Sequence, residues 1–335
     1  MKAVRFLGHE QIRVEEVPMP SLDGGRILVK ILASAVCGSE RKGWVNEIPA
    51  DEVVISGHEA VGEVADANGS KRFKVGDRVC IQIMDGCGRC YYCLKGLPTF
   101  CQDLKYEGRC HAQYVAMPEA CLVPIAADID PKIAVLLGGD LLGVAYRATS
   151  QLPITPGKLV YVSGGGPIGL GLIFMLKALG AYVVLSEPHA FRREYAKAKC
   201  GVDEALDPFK ENVQERLWRL TEGVGPEITV ECSGQAIAQE QALKWTRCQG
   251  HVMLCGENYK GLTIVPSDHI IHKELNVHGA FYFAPSDVPR IVSLYRQGFD
   301  PSALISHHVS IDEAPNAFAE FFAGRTGKVI LNPWA

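Results

Sequence analysis

At 335 residues the chain is longer than one hydrophobic core usually grows, so two domains are expected. With 47% hydrophobic and 21% charged residues, a formal net charge of -4 and no Lys/Arg run longer than a pair, it carries neither a nucleic-acid footprint nor a polybasic membrane patch. The opening MKAVRFLGHEQIRVEEVP lacks a signal-peptide core, and no stretch reaches the roughly 18 apolar residues of a membrane span, which predicts a cytoplasmic protein without membrane or nucleic-acid partners.

The first 125 residues contain short β-branched runs broken by Gly and Pro, ILVKILASAV, AVGEVAD, DRVCIQI and AQYVAMP, which predict a twisted, barrel-like β domain. Within it, AVCGSERKGW and VISGHEAVGEV supply Cys37, Ser39, His58 and Glu59. Thiolate, imidazole and carboxylate are zinc ligands, and a catalytic zinc takes three protein ligands and keeps a fourth position open. Singly, each residue has a plainer reading: Cys37 and His58 as core residues, Ser39 as a turn or cap, Glu59 as a group that orients His58.

DGCGRCYYCLKGLPTFC follows, with Cys87, Cys90, Cys93 and Cys101 in Cys-x2-Cys-x2-Cys-x7-Cys spacing. In a reducing compartment such a cluster reads as a metal site rather than a disulfide framework. Four thiolates leave no position for water, which predicts structural zinc. The bacterial iron–sulfur pattern needs its fourth Cys after three residues and a following Pro, whereas here the gap is seven and Gln102 follows. Gly86, Gly88 and Gly96 are expected to permit the tight turns. Cys200, Cys232, Cys248 and Cys255 are expected to be small buried apolar residues.

YEGRCHAQYV offers Glu107, Arg109 and His111 as contacts for substrate hydroxyls, and Trp44 and Tyr282 are candidate pocket walls, against plain loop and packing roles. In LLGGDLLGVAYRA, Asp140 stands among Leu136, Leu137, Leu141 and Leu142, where a bare charge is costly. It either caps the helix that LLGVAYRA predicts or joins Cys37 and His58 as the third ligand.

From about 150 to 279 strand and helix alternate as in a doubly wound α/β sheet. LVYVSGGGPIGLGLIFMLKALGAYVVLSEP places Gly164, Gly166 and Gly169 in G-x-G-x-x-G spacing between a strand and an apolar helix opening at Pro167 and Ile168. Such a turn brings backbone amides to a pyrophosphate at the helix N-terminus. Glu187, 23 residues after Gly164, is placed to accept from the ribose hydroxyls and repel a 2'-phosphate, which predicts NAD. Arg192 and Arg193 leave room for NADP unless they are surface charges of the next helix. ITVECSG and HVMLCGE are predicted parallel strands, and Ser233, Gly234 and Gly256 face the cofactor by position alone. The closing GKVILNP is expected to return to the first domain.

Together these motifs, from MKAVRF through Cys37-Gly38-Ser39, Gly57-His58-Glu59, the four-Cys loop, Asp140, Gly164 to Gly169 and Gly327-Lys328-Val329, resemble the zinc-dependent medium-chain dehydrogenases of the alcohol, polyol and threonine group. The resemblance implies an α/β protein with a GroES-like β-barrel catalytic domain, residues 1–149 and 280–335, and an inserted Rossmann domain, residues 150–279, with the active site between them. It implies a catalytic zinc on Cys37, His58 and Asp140 with Glu59 as an exchangeable extra ligand, Ser39 as proton acceptor, and dimers or tetramers. Many alcohol dehydrogenases have Cys at Asp140, and the carboxylate leans away from the primary-alcohol branch. Lys42 stands where that branch often has a proton-relaying His. The implied reaction is hydride transfer between NAD and a secondary alcohol of a polyol, cyclitol or sugar. An amino-alcohol or threonine-type dehydrogenase and a non-enzymatic nucleotide-binding redox sensor are the rivals.

Overall fold

The computed structural model describes residues 1–49 and 54–335. The chain divides into two compact units, Met1–Gly143 with Ala284–Ala335, and Val144–Phe283. Among the described residues no helix is long and apolar enough to cross a membrane.

The first unit is organised around strand Ile27–Ala35, whose Ile27, Val29 and Ile31 alternate into the core with Val64, Val79, Ile81, Met117 and Leu122. Period-two burial is what the β-branched pattern called for. The strand pairs antiparallel with Glu59–Asp66 on one side and with the C-terminal Lys328–Asn332 on the other. Ala35 faces both Glu59 and Ile330, so the two ends of the chain meet at the strand terminus that leads into Cys37. The closing GKVILNP thus returns to the first unit, as expected. Trp44 belongs to a second core with Phe6, Phe318 and Phe321, stacked on Phe318 at 6.3 Å. It packs in the core, the plainer of the two roles open to it.

The second unit holds a six-stranded, all-parallel sheet. In sheet order its strands are Glu204–Leu206, Tyr182–Ser186, Leu159–Ser163, Ile228–Glu231, His251–Leu254 and Asn276–Gly279, which is 3-2-1-4-5-6 in chain order. Strands covered on both faces read as continuous apolar runs, and Leu159–Ser163 and Tyr182–Ser186 do so. The strand order reverses direction between Leu159–Ser163 and Ile228–Glu231. Ligands of open α/β sheets bind outside the carboxyl ends of the strands at such a switch point.

Candidate metal centre and dinucleotide site

Cys37 leaves strand Ile27–Ala35 in extended conformation and opens the short turn Gly38–Glu40. His58 lies in the turn before Glu59–Asp66, and Gly57 ahead of it has φ 102°, a conformation open to glycine. Asp140 begins helix Asp140–Thr149. A Cβ on Gly138 would stand 2.3 Å from Cys80 Sγ, and one on Gly139 would stand 2.7 Å from Glu59 Oε2. The two glycines therefore let the start of that helix press on the barrel.

This brings together one ligand atom each from Cys37, His58, Glu59 and Asp140, all within 4.8 Å of one another. Asp140 Oδ2 is 3.1 Å from His58 Nε2 and 3.8 Å from Cys37 Sγ. Asp140 Oδ1 and Glu59 Oε2 are buried without a hydrogen-bond partner. Burial opposes charge on His58, yet the Cys37 and Asp140 charges hold it well above the ordinary histidine range. The donor set as a whole attracts positive charge, and orphaned carboxylate oxygens beside a thiol and an imidazole are what a divalent cation would satisfy. The exposed Ser39 hydroxyl lies 3.3 Å from His58 Nε2.

Glu59 has a second partner that the sequence did not reveal: Lys328 Nζ at 2.5 Å, both side chains fully buried. Burial lowers the Lys328 ammonium's pKa, but Glu59 and the Cys37 charge more than restore it, while burial raises the Glu59 carboxyl more than Lys328 lowers it. Lys328 was visible in the closing Gly-Lys-Val, but nothing local signals its partner.

Three of the candidate substrate contacts and pocket walls have partners within the fold. Glu107 accepts from Arg26 at 2.7 and 2.9 Å, His111 is fully buried against Glu40, and Tyr282 is buried and stacked on Phe283 at 4.6 Å. All three are committed to the fold, while Arg109 is exposed with φ 68°.

Cys87, Cys90, Cys93 and Cys101 also converge as a group of possible metal ligands. Backbone N–H groups of Arg89 and Cys90 hold the Cys87 thiol down at about 6, and that of Cys93 lowers Cys90. Burial pushes Cys93 up to about 12. Gly88 and Gly96 take left-handed φ of 72° and 71°, as expected of the turns. Gly86 serves close approach instead, since a Cβ there would stand 2.6 Å from Cys93 Sγ. Gly86→Ala is therefore expected to weaken metal binding in this loop about tenfold or more, the equivalent of 1–3 kcal/mol of overpacking, as read by zinc competition titration. Of the other cysteines, Cys200 is buried as expected, whereas Cys248 is exposed and Cys232 hydrogen-bonds Cys255 across neighbouring strand ends.

In the second unit, Gly164 has φ 97°, and a Cβ there would lie 2.9 Å from Ser233 N; one on Gly169 would lie 1.9 Å from Gly164 O. The first glycine makes the turn and the third lets helix Pro167–Ala178 close on it, with Gly166 as N-cap, Pro167 first and Ile168 second in the helix. Glu187 follows strand Tyr182–Ser186, 3% exposed. It accepts from Gly165 N–H at 2.7 Å and from His189 N and Nδ1 at 2.9 and 2.6 Å. Arg192 brings its guanidinium near Gly166. Arg193 is not a solvated surface charge: it donates to the Glu187 and Pro188 carbonyls at 2.7 Å and pairs with Asp207 at 3.1 Å. Ser233 turns its hydroxyl to buried Glu231 at 2.5 Å, and Gly256 packs on Gly234, where a Cβ would come within 2.1 Å of Gly234 N. Glu231 organises this turn and went unrecognised, because a carboxylate at a strand end has no periodic signature.

Residues 23–127 match the alcohol dehydrogenase GroES-like domain, and residues 167–297 match the zinc-binding dehydrogenase domain. The chain is 34% identical to L-threonine 3-dehydrogenase of Pyrococcus horikoshii, covering 94% of this chain and 93% of that protein. It is 29% identical to a sorbitol dehydrogenase of Halalkalibacterium halodurans, covering 99% and 98%. Its fold superposes on an alcohol dehydrogenase from Thermus sp. ATN1 with a TM-score of 0.88, 26% identity and 99% coverage of both chains. The paired domain matches, the end-to-end identity and the strand order found here agree: this chain belongs to the zinc-dependent medium-chain dehydrogenase family.

Proposed function

We propose that Cys37, His58 and Asp140 hold a catalytic zinc with Glu59 as an exchangeable extra donor, that Cys87, Cys90, Cys93 and Cys101 hold a structural zinc, and that the enzyme oxidises a secondary alcohol of a polyol, cyclitol or sugar with NAD. The observation that carries this reading is Asp140: a buried carboxylate with one oxygen unpartnered and the other within reach of a thiol and an imidazole.

Zinc held by Cys37, His58 and Asp140 would supply a Lewis acid that lowers the pKa of the substrate hydroxyl, and NAD at the glycine turn would supply the hydride acceptor. One thiolate and one carboxylate balance a divalent ion. Glu59 would add a further negative charge, but Lys328 already neutralises it at 2.5 Å, which favours exchange over permanent ligation. The exposed Ser39 hydroxyl accepts the alcohol proton and passes it to water or the cofactor ribose.

Glu187 supports NAD over NADP, being a carboxylate at the end of the second strand next to the glycine turn. With Gly164, Gly166, Pro167, Ile168 and Gly169 cradling the pyrophosphate, Arg192, Ser233 and Gly256 complete the cofactor contacts. Glu187→Ala is expected to lower the preference for NAD over NADP at least tenfold, because a charge-assisted hydrogen bond contributes about 1.5–3 kcal/mol; the ratio of kcat/KM for the two cofactors measures it.

The threonine-type reading is favoured by identity, 34% against 29% for the sorbitol relative. Incubating the protein with NAD and a panel of sorbitol, inositols and L-threonine, while following absorbance of the reduced nicotinamide, separates the readings. Turnover of polyhydroxylated substrates is expected; turnover of L-threonine alone would transfer the assignment, and none at all, with both metals bound, would favour a sensor. We place the enzyme in the cytoplasm, where thiols stay reduced, as a homodimer or homotetramer. Exposed Val277 on the sheet's edge strand supports association, which light scattering tests.

A further inference from the structure

We infer that His111 is a positioning residue for the Cys37–His58–Asp140 site: through Glu40 it holds the chain segments carrying Cys37 and His58 in fixed relation. The inference rests on reading those residues as zinc ligands. His111 is fully buried and both ring nitrogens are engaged, Nδ1 with Ser34 Oγ at 2.8 Å and Nε2 with Glu40 Oε1 at 3.0 Å. Its backbone N–H donates to Ser56 O at 2.9 Å. The Gly57 Cα lies flat against it, since a Cβ there would stand 2.4 Å from His111 N and 2.8 Å from the ring. The residue before His58 is thus pinned to the His111 backbone and ring together.

Glu40 carries the restraint to the other ligand. Its Oε2 accepts the Cys37 backbone N–H at 2.9 Å, and its Oε1 accepts the Ser56 hydroxyl at 2.5 Å. An ionised carboxylate only accepts, so His111 Nε2 carries the proton between them. Burial opposes ionisation of Glu40, but His111 outweighs it and holds the carboxyl down at about 2. Three segments therefore close on one imidazole: Ser34 to Glu40, Ser56 to His58, and His111 itself.

A buried polar pair is weak evidence of a stability device, because apolar groups of like volume often replace one without loss. Phe318 already meets the His111 ring edge-on at 5.6 Å, so an aromatic ring is accommodated there and His111→Phe is a fair replacement. What phenylalanine cannot do is hold Glu40 against the Cys37 amide. Outer partners of metal ligands typically account for 10–100-fold in metal affinity.

The test uses the full chain with zinc kept in the four-Cys loop and cobalt(II) titrated into the Cys37 site. His111→Phe and Glu40→Gln are expected to weaken cobalt and zinc binding there about 10–100-fold and to shift the thiolate-to-cobalt absorption, with the four-Cys loop unaffected. His111→Gln, whose amide reaches the place of Nε2, is expected to recover most of the affinity and the wild-type spectrum. Should His111→Phe fold poorly, occupancy of the four-Cys loop reports it and Glu40→Gln decides. Unchanged affinity and spectrum in the folded variants, with only stability altered, would overturn the positioning role. Absence of a second metal from the wild-type protein would instead sink the zinc reading beneath it.

Discussion

Asp140→Ala is expected to lower kcat/KM for the alcohol substrate at least about a thousandfold, roughly 4 kcal/mol of transition-state stabilisation, while the variant folds and keeps NAD binding. Asp140 Oδ2 stands 3.1 Å from His58 and 3.8 Å from Cys37, so its removal takes away one of three donors and half of the negative charge that would balance zinc. Metal analysis should fall from two zinc ions per chain to one, that of the four-Cys loop.

In metal-free protein Asp140 Oδ2 lies 3.1 Å from His58 Nε2, so replacing it with alanine leaves the buried imidazole without that partner and should cost some stability. Zinc, binding only the folded state, should then raise the melting temperature of wild type but raise that of the variant less, because one linked site is gone. An Asp140→Ala protein that retains both metals and wild-type rates would remove the centre from the reaction.

Lys328→Met is expected to destabilise the protein by about 3–5 kcal/mol, the usual result of leaving one member of a buried pair without its partner. Both side chains are 0% exposed, Lys328 meets Glu59 Oε1, and Glu59 Oε2 has no hydrogen bond. Methionine fills much of the lysine stem's volume, so the loss is electrostatic rather than a cavity. Adding Glu59→Gln should recover most of it, a non-additivity that urea unfolding of the two single variants and the double variant measures. A loss in the double variant equal to the sum of the two single losses would mean that the pair is not coupled.

Local chemistry accounts for what was legible beforehand. The four-Cys loop and the glycine turn are each contained in a short run of chain, where spacing dictates geometry: thiols a few residues apart wrap one ion, and a glycine with φ 97° at position 164 makes the turn into the helix. The strands of the first unit were readable because half-buried strands alternate. Asp140 was recognisable by its cost among leucines. His111 misled because a polar residue before a strand looks solvated, and only the packed barrel shows it buried against Glu40.

By itself, then, the amino-acid order determined the fold family and singled out the four-Cys loop, the glycine turn and the far-separated Cys37, His58 and Asp140. Tertiary structure alone decided that Lys328 neutralises Glu59 across 269 residues, that His111 joins Glu40 across 71, and that Glu107 is taken by Arg26. The physical reason is that buried charge must be matched wherever the chain happens to bring an opposite charge, and that partner is chosen by sheet register and packing rather than by any spacing along the chain.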